Sequence, residues 1–280
     1  MNALEKQYVE LLKKTLSASI YEESSWRIID DRISETRRRP LTLLKQFVYG
    51  LIVRLFRKRS ILLVKRQTFD PQRRNMGLDW PLFGYTMTGQ KRLDNVEMCI
   101  EDILLNNVPG DFAETGVWRG GTTIFMRALL KLYNVTNRTV WAADSYEGMP
   151  IPASSTDGHD FHSLEYLSVS LEQVKKNFAK FDLLDDQVQF IKGWFSDTLP
   201  KSPIKSLALL RLDGDMYSST MDSLNNLYRK VSPGGYVIVD DYHSWESCKR
   251  AVTDFINSNR IDVDIKEIDG SAVYWKVKKT

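Results

Sequence analysis

The feature that most restricts the fold of this chain is a regular alternation of helix-like and strand-like segments, which starts at Asp79. Amphipathic stretches such as DNVEMCIEDILLNN and TTIFMRALLKLY alternate with short apolar runs such as GDFAETG and RTVWAADS. Strands that alternate with helices predict a parallel sheet with right-handed crossovers. We therefore expect an α/β fold of the doubly wound class.

The C-terminal part of the pattern predicts how this sheet ends. SPGG reads as a turn before the strand YVIVDDY, and Asp269-Gly270 separates two last strands, DVDIKEI and SAVYWKVKK. Two strands joined by so tight a turn must be antiparallel. The expected sheet is Rossmann-like, has seven strands and is mostly parallel.

The N-terminal part lacks the alternation, which divides the chain into a helical arm, residues 1–76, and a main domain, residues 77–280. Residues 1–31 are expected to be helical. The apolar stretch Leu41–Phe56 is too short and too charged for a membrane span. Two interpretations of residues 38–66 stay open: a basic amphipathic helix on an anionic membrane or polyanion, or an arm packed on the body or on a second subunit.

Charge and cysteine content bear on partners and compartment. The net charge is +3, but Arg27–Arg74 holds fourteen Lys or Arg against four Asp or Glu, a local charge of +10. The two cysteines give no disulfide framework, and the N-terminus has no signal-peptide pattern. These features favour a cytoplasmic protein. Whether it contacts the inner membrane face, and whether it forms oligomers, stays open.

The first and second strands carry a candidate nucleoside site at the edge where ligands bind to doubly wound sheets. Glu114 precedes a glycine-rich turn, an order that suits a zwitterionic amino-acid tail better than a pyrophosphate. Asp144 ends the second strand, where a carboxylate can accept both hydroxyl groups of a ribose, although helix capping explains it as well. Trp194 and Phe195 follow the third strand and suit an adenine wall or core packing.

Four carboxylates follow the next two strands. Asp213 and Asp215 end the fourth strand, and Asp240 and Asp241 end the fifth. At one edge of a sheet they repel one another unless a hard divalent cation such as magnesium lies between them; the alternative is that they cap helices. A dication there would lower the pKa of a bound hydroxyl group enough to make it a nucleophile at neutral pH, and Asp213 suits the role of the base.

Six segments together resemble the macrocin O-methyltransferase family: GDFAETGVWRGGTTIFMRALL, VWAADSYEGMP, VSLEQVKKNF, GWFSDTLP, LRLDGDMYSSTMDSL and SPGGYVIVDDY. The resemblance covers about residues 77–277, and YVELLKKTLSASIYEES fits too. It implies a class I methyltransferase fold, S-adenosylmethionine as methyl donor, magnesium, and a sugar or glycoside hydroxyl as acceptor.

The resemblance also implies roles for individual residues. The metal ligands are Asp213, Asp240 and Asp241, with Asp213 as general base. His162 lies on the expected lid over the acceptor, and two interpretations of it stay open: a structural or exposed histidine, or a substrate contact that assists proton transfer. The resemblance puts Glu114, Gly116, Asp144 and Ser145 on cofactor positions. Their place at or near the same edge adds further expected cofactor contacts: Met87, Thr115, Gly120, Trp194, Phe195 and Asp213.

The chain departs from the family pattern in two places. Residues 32–74 read as an enlarged basic insertion, and the lid from Pro150 to His162 diverges. Both favour an acceptor sugar on a larger glycan, lipid-linked or polyanionic, at the membrane face.

Three other functions compete with this interpretation of the sequence. A nicotinamide-dependent oxidoreductase lacks support because G-x-G-x-x-G is missing. A membrane-associated glycan-binding protein with a relic cofactor site would leave the four carboxylates without a role. Nucleic acid is not an expected partner, because aliphatic rather than aromatic residues are interspersed in the basic stretch.

Overall fold

A seven-stranded sheet lies at the centre of this computed structural model, which describes residues 1–28, 50–56, 58, 59, 61, 63–158, 161, 162 and 164–278. Its strands, in spatial order β3-β2-β1-β4-β5-β7-β6, are β1 (Asp111–Thr115), β2 (Val140–Asp144), β3 (Val188–Lys192), β4 (Leu207–Leu212), β5 (Val231–Val239), β6 (Lys266–Glu267) and β7 (Val273–Lys276). The first five strands pair in parallel, and β7 is antiparallel to both of its neighbours. The predicted fold class is confirmed.

Helices cover both faces of this sheet. They are α1 (Ala3–Leu16), α2 (Pro71–Asn75), α3 (Gln90–Leu105), α4 (Gly121–Leu132), α5 (Leu171–Ala179), α6 (Phe195–Thr198), α7 (Tyr217–Leu227) and α8 (Glu246–Asn259). Successive strand residues point to opposite faces, so Leu209 joins the core under α3, α4 and α5, while Leu210 joins the core under α7 and α8. The central strands are apolar for this reason, since both of their faces are buried.

Helix α1 packs onto the body. Its buried residues Val9, Leu12 and Leu16 belong to the same hydrophobic core as α3 and α4. The buried Lys13 ammonium lies 2.6 Å from Asp94 of α3 and also contacts Glu97. The division of the chain at residue 76 stays a prediction, although α1 itself shares the core of the main domain.

The expectation of a helix over residues 1–31 is wrong for residues 17–28, while residues 29–31 lie outside the described residues. The Ser17 hydroxyl donates to the Lys13 carbonyl, and Ala18 takes the left-handed conformation with φ +54°, which ends the helix. A short 3₁₀ helix follows at Glu22–Ser25, and Arg27–Ile28 pairs antiparallel with Val64–Lys65.

Two expectations at the C-terminal end of the sheet are also corrected. SPGG lies within β5 rather than in a turn, because the Gly234 amide donates to the Val277 carbonyl and the Val277 amide donates to Gly235. The pairing register with β4 shifts here, so the segment forms an irregularity inside the strand. The expected strand DVDIKEI shortens to Lys266–Glu267.

The basic segment is described only in part. Residues 38–49 lie outside the described residues. They include the first nine residues of the apolar stretch Leu41–Phe56. Residues 50–56 are helical, with Val53 buried and Leu51, Ile52 and Leu55 exposed. Among the described helices, none is both long and apolar enough to cross a membrane.

Candidate functional site

The site begins where β1 and β4 leave the sheet side by side. The chain order of the strands reverses between these two neighbours, which is the position where ligands bind in such folds. Gly116 follows β1 with φ +89°, and a Cβ atom there would lie 1.9 Å from the Asp213 carbonyl oxygen after β4. Glycine at 116 therefore brings the predicted cofactor turn directly against the predicted metal ligand.

Asp144 ties the end of β2 to this turn. Its Oδ2 accepts hydrogen bonds from the amides of Val117 (2.8 Å) and Trp118 (3.3 Å), and its Oδ1 accepts one from the Tyr146 amide (2.8 Å). Burial raises the pKa of Asp144 above its usual value, although these hydrogen bonds act to lower it. The carboxylate thus lies at the glycine-rich turn, where the sequence predicts a ribose contact.

Glu114 points into the interior. It is 1% exposed, its Oε1 pairs with Arg211 of β4, and its Oε2 accepts from the Thr123 hydroxyl at 2.6 Å. Burial raises its pKa to about 7, although the Arg211 charge opposes the shift. Both oxygens have protein partners, and a direct cofactor contact by Glu114 stays a prediction.

Three other expected cofactor residues lie in or next to this turn and the loop after β2. Thr115 is buried and accepts a hydrogen bond from the Ser223 hydroxyl at 3.1 Å. Gly120, with φ +86°, is the N-cap residue directly before α4. The Ser145 hydroxyl donates to the Gly148 carbonyl at 2.7 Å and shapes the loop after β2.

Three further expected contacts lie in neighbouring segments. Met87 is half-buried in the segment before α3, which is fixed where the Gly121 amide donates to the Tyr85 carbonyl at 2.9 Å. Trp194 is 37% exposed at the start of α6, and Phe195 packs partly against the core under α7. Their contacts with an adenine stay predictions.

Three of the four predicted carboxylates come together. Ligand oxygens of Asp213, Asp240 and Asp241 all lie within 4.8 Å of one another. Asp241 Oδ2 is buried and has no hydrogen-bond partner among the described residues. Burial, and then the charges of Asp215 and Asp213, raise the pKa of Asp241 far above its usual range. A buried carboxylate oxygen without a hydrogen-bond partner, beside other carboxylates, is a suitable ligand for a hard dication.

Asp215 lies beside this group in an unusual conformation. Its φ is +55°, and its carbonyl accepts a hydrogen bond from the Ser247 hydroxyl at 3.2 Å. Burial and the neighbouring charges of Asp213 and Asp240 raise its pKa to about 7. Its geometry braces the turn, and it is not among the three residues whose oxygens converge.

Two buried arginines, which sequence reasoning missed, contact the carboxylates. Arg211 pairs with Asp213 (2.7 Å) and with Asp240, and Arg92 of α3 pairs with the other oxygen of Asp240 (2.5 Å). Burial alone raises the pKa of Asp240, but the two guanidinium groups more than offset it and hold that pKa below its usual range. The available signal was a charged residue inside the otherwise apolar strand LALLRL.

The lid expected at Pro150–His162, together with the segment to Tyr166 that follows it, contacts this edge; residues 159, 160 and 163 lie outside the described residues. Asp157 Oδ1 accepts from the Ser218 amide of α7 at 2.8 Å. Phe161 stacks edge-on against Trp245, with ring centroids 5.1 Å apart. His162 is exposed, and its Nδ1 lies 3.2 Å from the Met149 carbonyl oxygen.

The end of the lid is joined to the cofactor turn by an aromatic group. The Tyr166 ring stacks parallel to Trp80 with centroids 5.6 Å apart, and its hydroxyl donates to the Pro81 carbonyl at 2.6 Å. The Trp118 indole nitrogen donates to the Tyr166 carbonyl at 2.9 Å. Because the Trp118 amide also contacts Asp144, one residue touches both the lid and the predicted ribose position.

Comparison with known proteins decides the family. The profile described as Macrocin-O-methyltransferase (TylF) matches residues 5–277. The chain belongs to the macrocin O-methyltransferase family. As a member of it, the protein is an S-adenosylmethionine-dependent O-methyltransferase, and the donor is S-adenosylmethionine.

Individual relatives match this chain over most of their length. Demethyldecarbamoylnovobiocin O-methyltransferase of Streptomyces niveus is 50% identical over 218 residues, which cover 75% of this chain and 82% of that protein. Mycinamicin III 3''-O-methyltransferase of Micromonospora griseorubida is 39% identical over 279 residues, covering 96% and 95%. The solved structure of the O-methyltransferase NovP superposes with a TM-score of 0.82 at 41% identity, covering 98% of this chain and 100% of that one.

Proposed function

We propose that this protein transfers the methyl group of S-adenosylmethionine to a sugar hydroxyl of a glycosylated natural product, with a divalent cation held by Asp213, Asp240 and Asp241. Relatives support the acceptor class, since one is named for the 3''-O-methylation of mycinamicin III and another for the 4'-O-methylation of a rhamnosyl tetracenomycin in Streptomyces olivaceus. The observation that supports the metal is the convergence of three carboxylates, one with an unpaired buried oxygen.

The donor set fits a hard cation such as magnesium, because it consists of oxygen atoms alone. A bound dication would lower the pKa of a coordinated sugar hydroxyl. We assign the general base to Asp213, because its backbone touches the cofactor turn at Gly116 and Arg211 pairs with one of its oxygens, Oδ2, whereas both oxygens of Asp240 are paired with arginine. The hydroxyl oxygen attacks the methyl carbon, the donor sulfur leaves as the thioether, and Asp213 takes the proton.

Around this centre, we assign cofactor contacts to the glycine-rich turn, Asp144 and Met87, and an acceptor contact to His162. The Phe161–Trp245 contact places the lid beside the loop that follows Asp241, where an acceptor sugar would lie. Oδ2 of Asp241 has no hydrogen-bond partner among the described residues. Of the three ligands, Asp241 is therefore the one whose charge most needs a bound cation to offset it.

The test is transfer of labelled methyl groups from S-adenosylmethionine to a panel of deoxysugar glycosides, with chelator and with magnesium restored. We expect Asp241→Asn to lower the rate by at least about 100-fold, since even an outer-shell partner of a metal is worth about 10–100-fold. Asp254→Asn, on the outer side of α8, is the control and should keep the wild-type rate. Full activity in chelator would contradict the metal, and no transfer to any glycoside would contradict the acceptor class.

The basic segment supports a finer proposal, that the protein binds an anionic membrane surface where a larger glycan acceptor is presented. Residues 50–56 expose Leu51, Ile52 and Leu55 beside a run of basic side chains. Replacement of these three residues by serine should abolish sedimentation with phosphatidylglycerol vesicles, while the control Leu105→Ser, at an 80% exposed site on α3, should not. If the intact protein ignores such vesicles, the membrane proposal is wrong.

A further inference from the structure

A single buried guanidinium connects the three parts of the site. Arg211 is fully buried, and its Nη1 donates to Glu114 of β1 and to Asp213 at 2.7 Å. Its Nη2 donates to Asp240 and, at 2.9 Å, to the Thr88 hydroxyl in the segment that carries Met87. One side chain thus links the cofactor turn, the carboxylate cluster and the segment before α3.

A second guanidinium reaches Asp240 from the opposite side. Arg92 lies in the first turn of α3 and is 5% exposed. Its Nη1 donates to Asp240 Oδ2, and its Nε donates to Asp269 Oδ2 at 2.7 Å. Each oxygen of Asp240 therefore has its own arginine, and Arg92 is fixed by a second carboxylate.

Asp269 is itself held in place by the turn between β6 and β7. Its Oδ1 accepts from the amides of Ser271 (3.1 Å) and Ala272 (3.0 Å). The Ser271 hydroxyl in turn donates to the Asp240 carbonyl at 3.1 Å. The last hairpin thus fixes both the backbone of Asp240 and, through Arg92, its side chain.

This arrangement has a physical consequence for a cation. A carboxylate oxygen has two lone pairs, so a hydrogen bond from arginine to each oxygen leaves one lone pair on each for a metal. Hydrogen bonds to a ligating carboxylate orient it, and the planar guanidinium fork fixes that orientation more rigidly than an ammonium group does. The two arginine charges also offset part of the repulsion among the carboxylates.

We propose that Arg92 and Arg211 are positioning residues that hold Asp240 in the orientation needed to bind the dication. This inference rests on the proposed metal function and deepens it: the affinity of the site for the cation is set by side chains that do not themselves bind it. Among the three convergent carboxylates, Arg92 donates a hydrogen bond to Asp240, whereas Arg211 donates to both Asp213 and Asp240 and also holds Glu114 and Thr88. The test therefore uses Arg92.

The experiment measures Mn²⁺ binding by electron paramagnetic resonance and S-adenosylhomocysteine binding by calorimetry in the full-length protein. Arg92→Lys keeps the charge but loses the fork, and it should weaken Mn²⁺ binding about 10-fold or more with cofactor affinity unchanged. Asp269→Asn removes the carboxylate charge that pairs with Arg92 and leaves the side chain of Asp240 unchanged. It should also weaken Mn²⁺ binding, but by a smaller factor than Arg92→Lys. The matched control is Arg127→Lys, which alters the pair between the buried Arg127 and the exposed Asp185 (2.6 Å) outside the carboxylate cluster and should leave Mn²⁺ binding unchanged.

The outcomes separate the two proposals. If the wild-type protein binds no Mn²⁺, the proposed metal function fails, and the positioning role with it. If the wild type binds Mn²⁺ but Arg92→Lys and Asp269→Asn bind it equally well or more tightly, the positioning role alone is wrong. A higher apparent KM for Mg²⁺ in Arg92→Lys, with kcat retained at saturating Mg²⁺, supports positioning.

Discussion

Single residues decide whether the two halves of the site can meet. Gly116 allows the cofactor turn to contact the backbone of Asp213, and no larger residue fits without displacing that backbone. The sequence shows this glycine, but not how close the approach is, because the neighbour comes from a strand almost a hundred residues later. Contacts of that kind depend on strand order rather than on local pattern.

Replacement of Gly116 by alanine should therefore cost more than the backbone strain alone. Gly270 offers the matched control: its φ is +79°, but a Cβ there meets nothing within 4 Å, whereas at Gly116 it meets the Asp213 carbonyl at 1.9 Å. Left-handed strain alone costs about 1–2 kcal/mol. Thermal unfolding should show a larger loss for Gly116→Ala than for Gly270→Ala, together with lost S-adenosylhomocysteine binding. Equal losses would mean that the turn relaxes freely.

The carboxylates could be predicted from the sequence, whereas the contacts of the two arginines could not. Asp213 and Asp240 directly follow apolar strands, and parallel neighbours bring such positions to one edge. Arg92 instead reaches Asp240 across 148 residues, and only the packing of α3 on the sheet brings it there. Residues that orient ligands from another element leave no spacing signal in the chain.

Among whole elements, the strand–helix order was predictable, and the errors lie where tertiary contacts override local signals. SPGG has the composition of a turn, but pairing with Val277 draws it into β5. The lid has few regular elements and is fixed by side chains instead. Tyr166 is its main anchor, through the Trp80 stack and the hydrogen bond to Pro81.

Removal of the Tyr166 hydroxyl should loosen the lid without unfolding the protein. Tyr166→Phe keeps the stacked ring and loses one hydrogen bond, worth about 1 kcal/mol, so amide hydrogen exchange across the lid should become roughly fivefold faster. Tyr133→Phe is the control, since it removes a similar hydroxyl contact to Glu101 between α4 and α3. Unchanged exchange in the lid of Tyr166→Phe would show that the hydrogen bond does not hold this element.

For the molecule as a whole, buried acids predict how stability depends on pH. Burial raises the pKa of Glu114 from 4.5 to about 7 and that of Asp215 from 3.8 to about 7. A raised pKa of an acid adds stability below the unfolded pKa, and this stability is lost as pH rises through the folded pKa. Groups whose pKa folding lowers, such as Asp185 and Asp240, act below their ordinary pKa of 3.8 and leave this window unaffected.

We therefore expect the free energy of unfolding of the metal-free protein to fall between about pH 5 and about pH 8. Urea denaturation in chelator measures it, and Glu114→Gln should make the fall shallower. If the free energy of unfolding is constant or rises over this range, burial does not raise the pKa values of these acids, which would contradict the prediction.

The most direct test of the account is the location of a bound ion. A crystal of the protein with S-adenosylhomocysteine and Mn²⁺, measured at the manganese absorption edge, shows by anomalous scattering where the metal lies. The account predicts one strong peak bonded to oxygens of Asp213, Asp240 and Asp241, with Arg92 and Arg211 still paired with Asp240. A cofactor-bound crystal with no peak among these three carboxylates would contradict it.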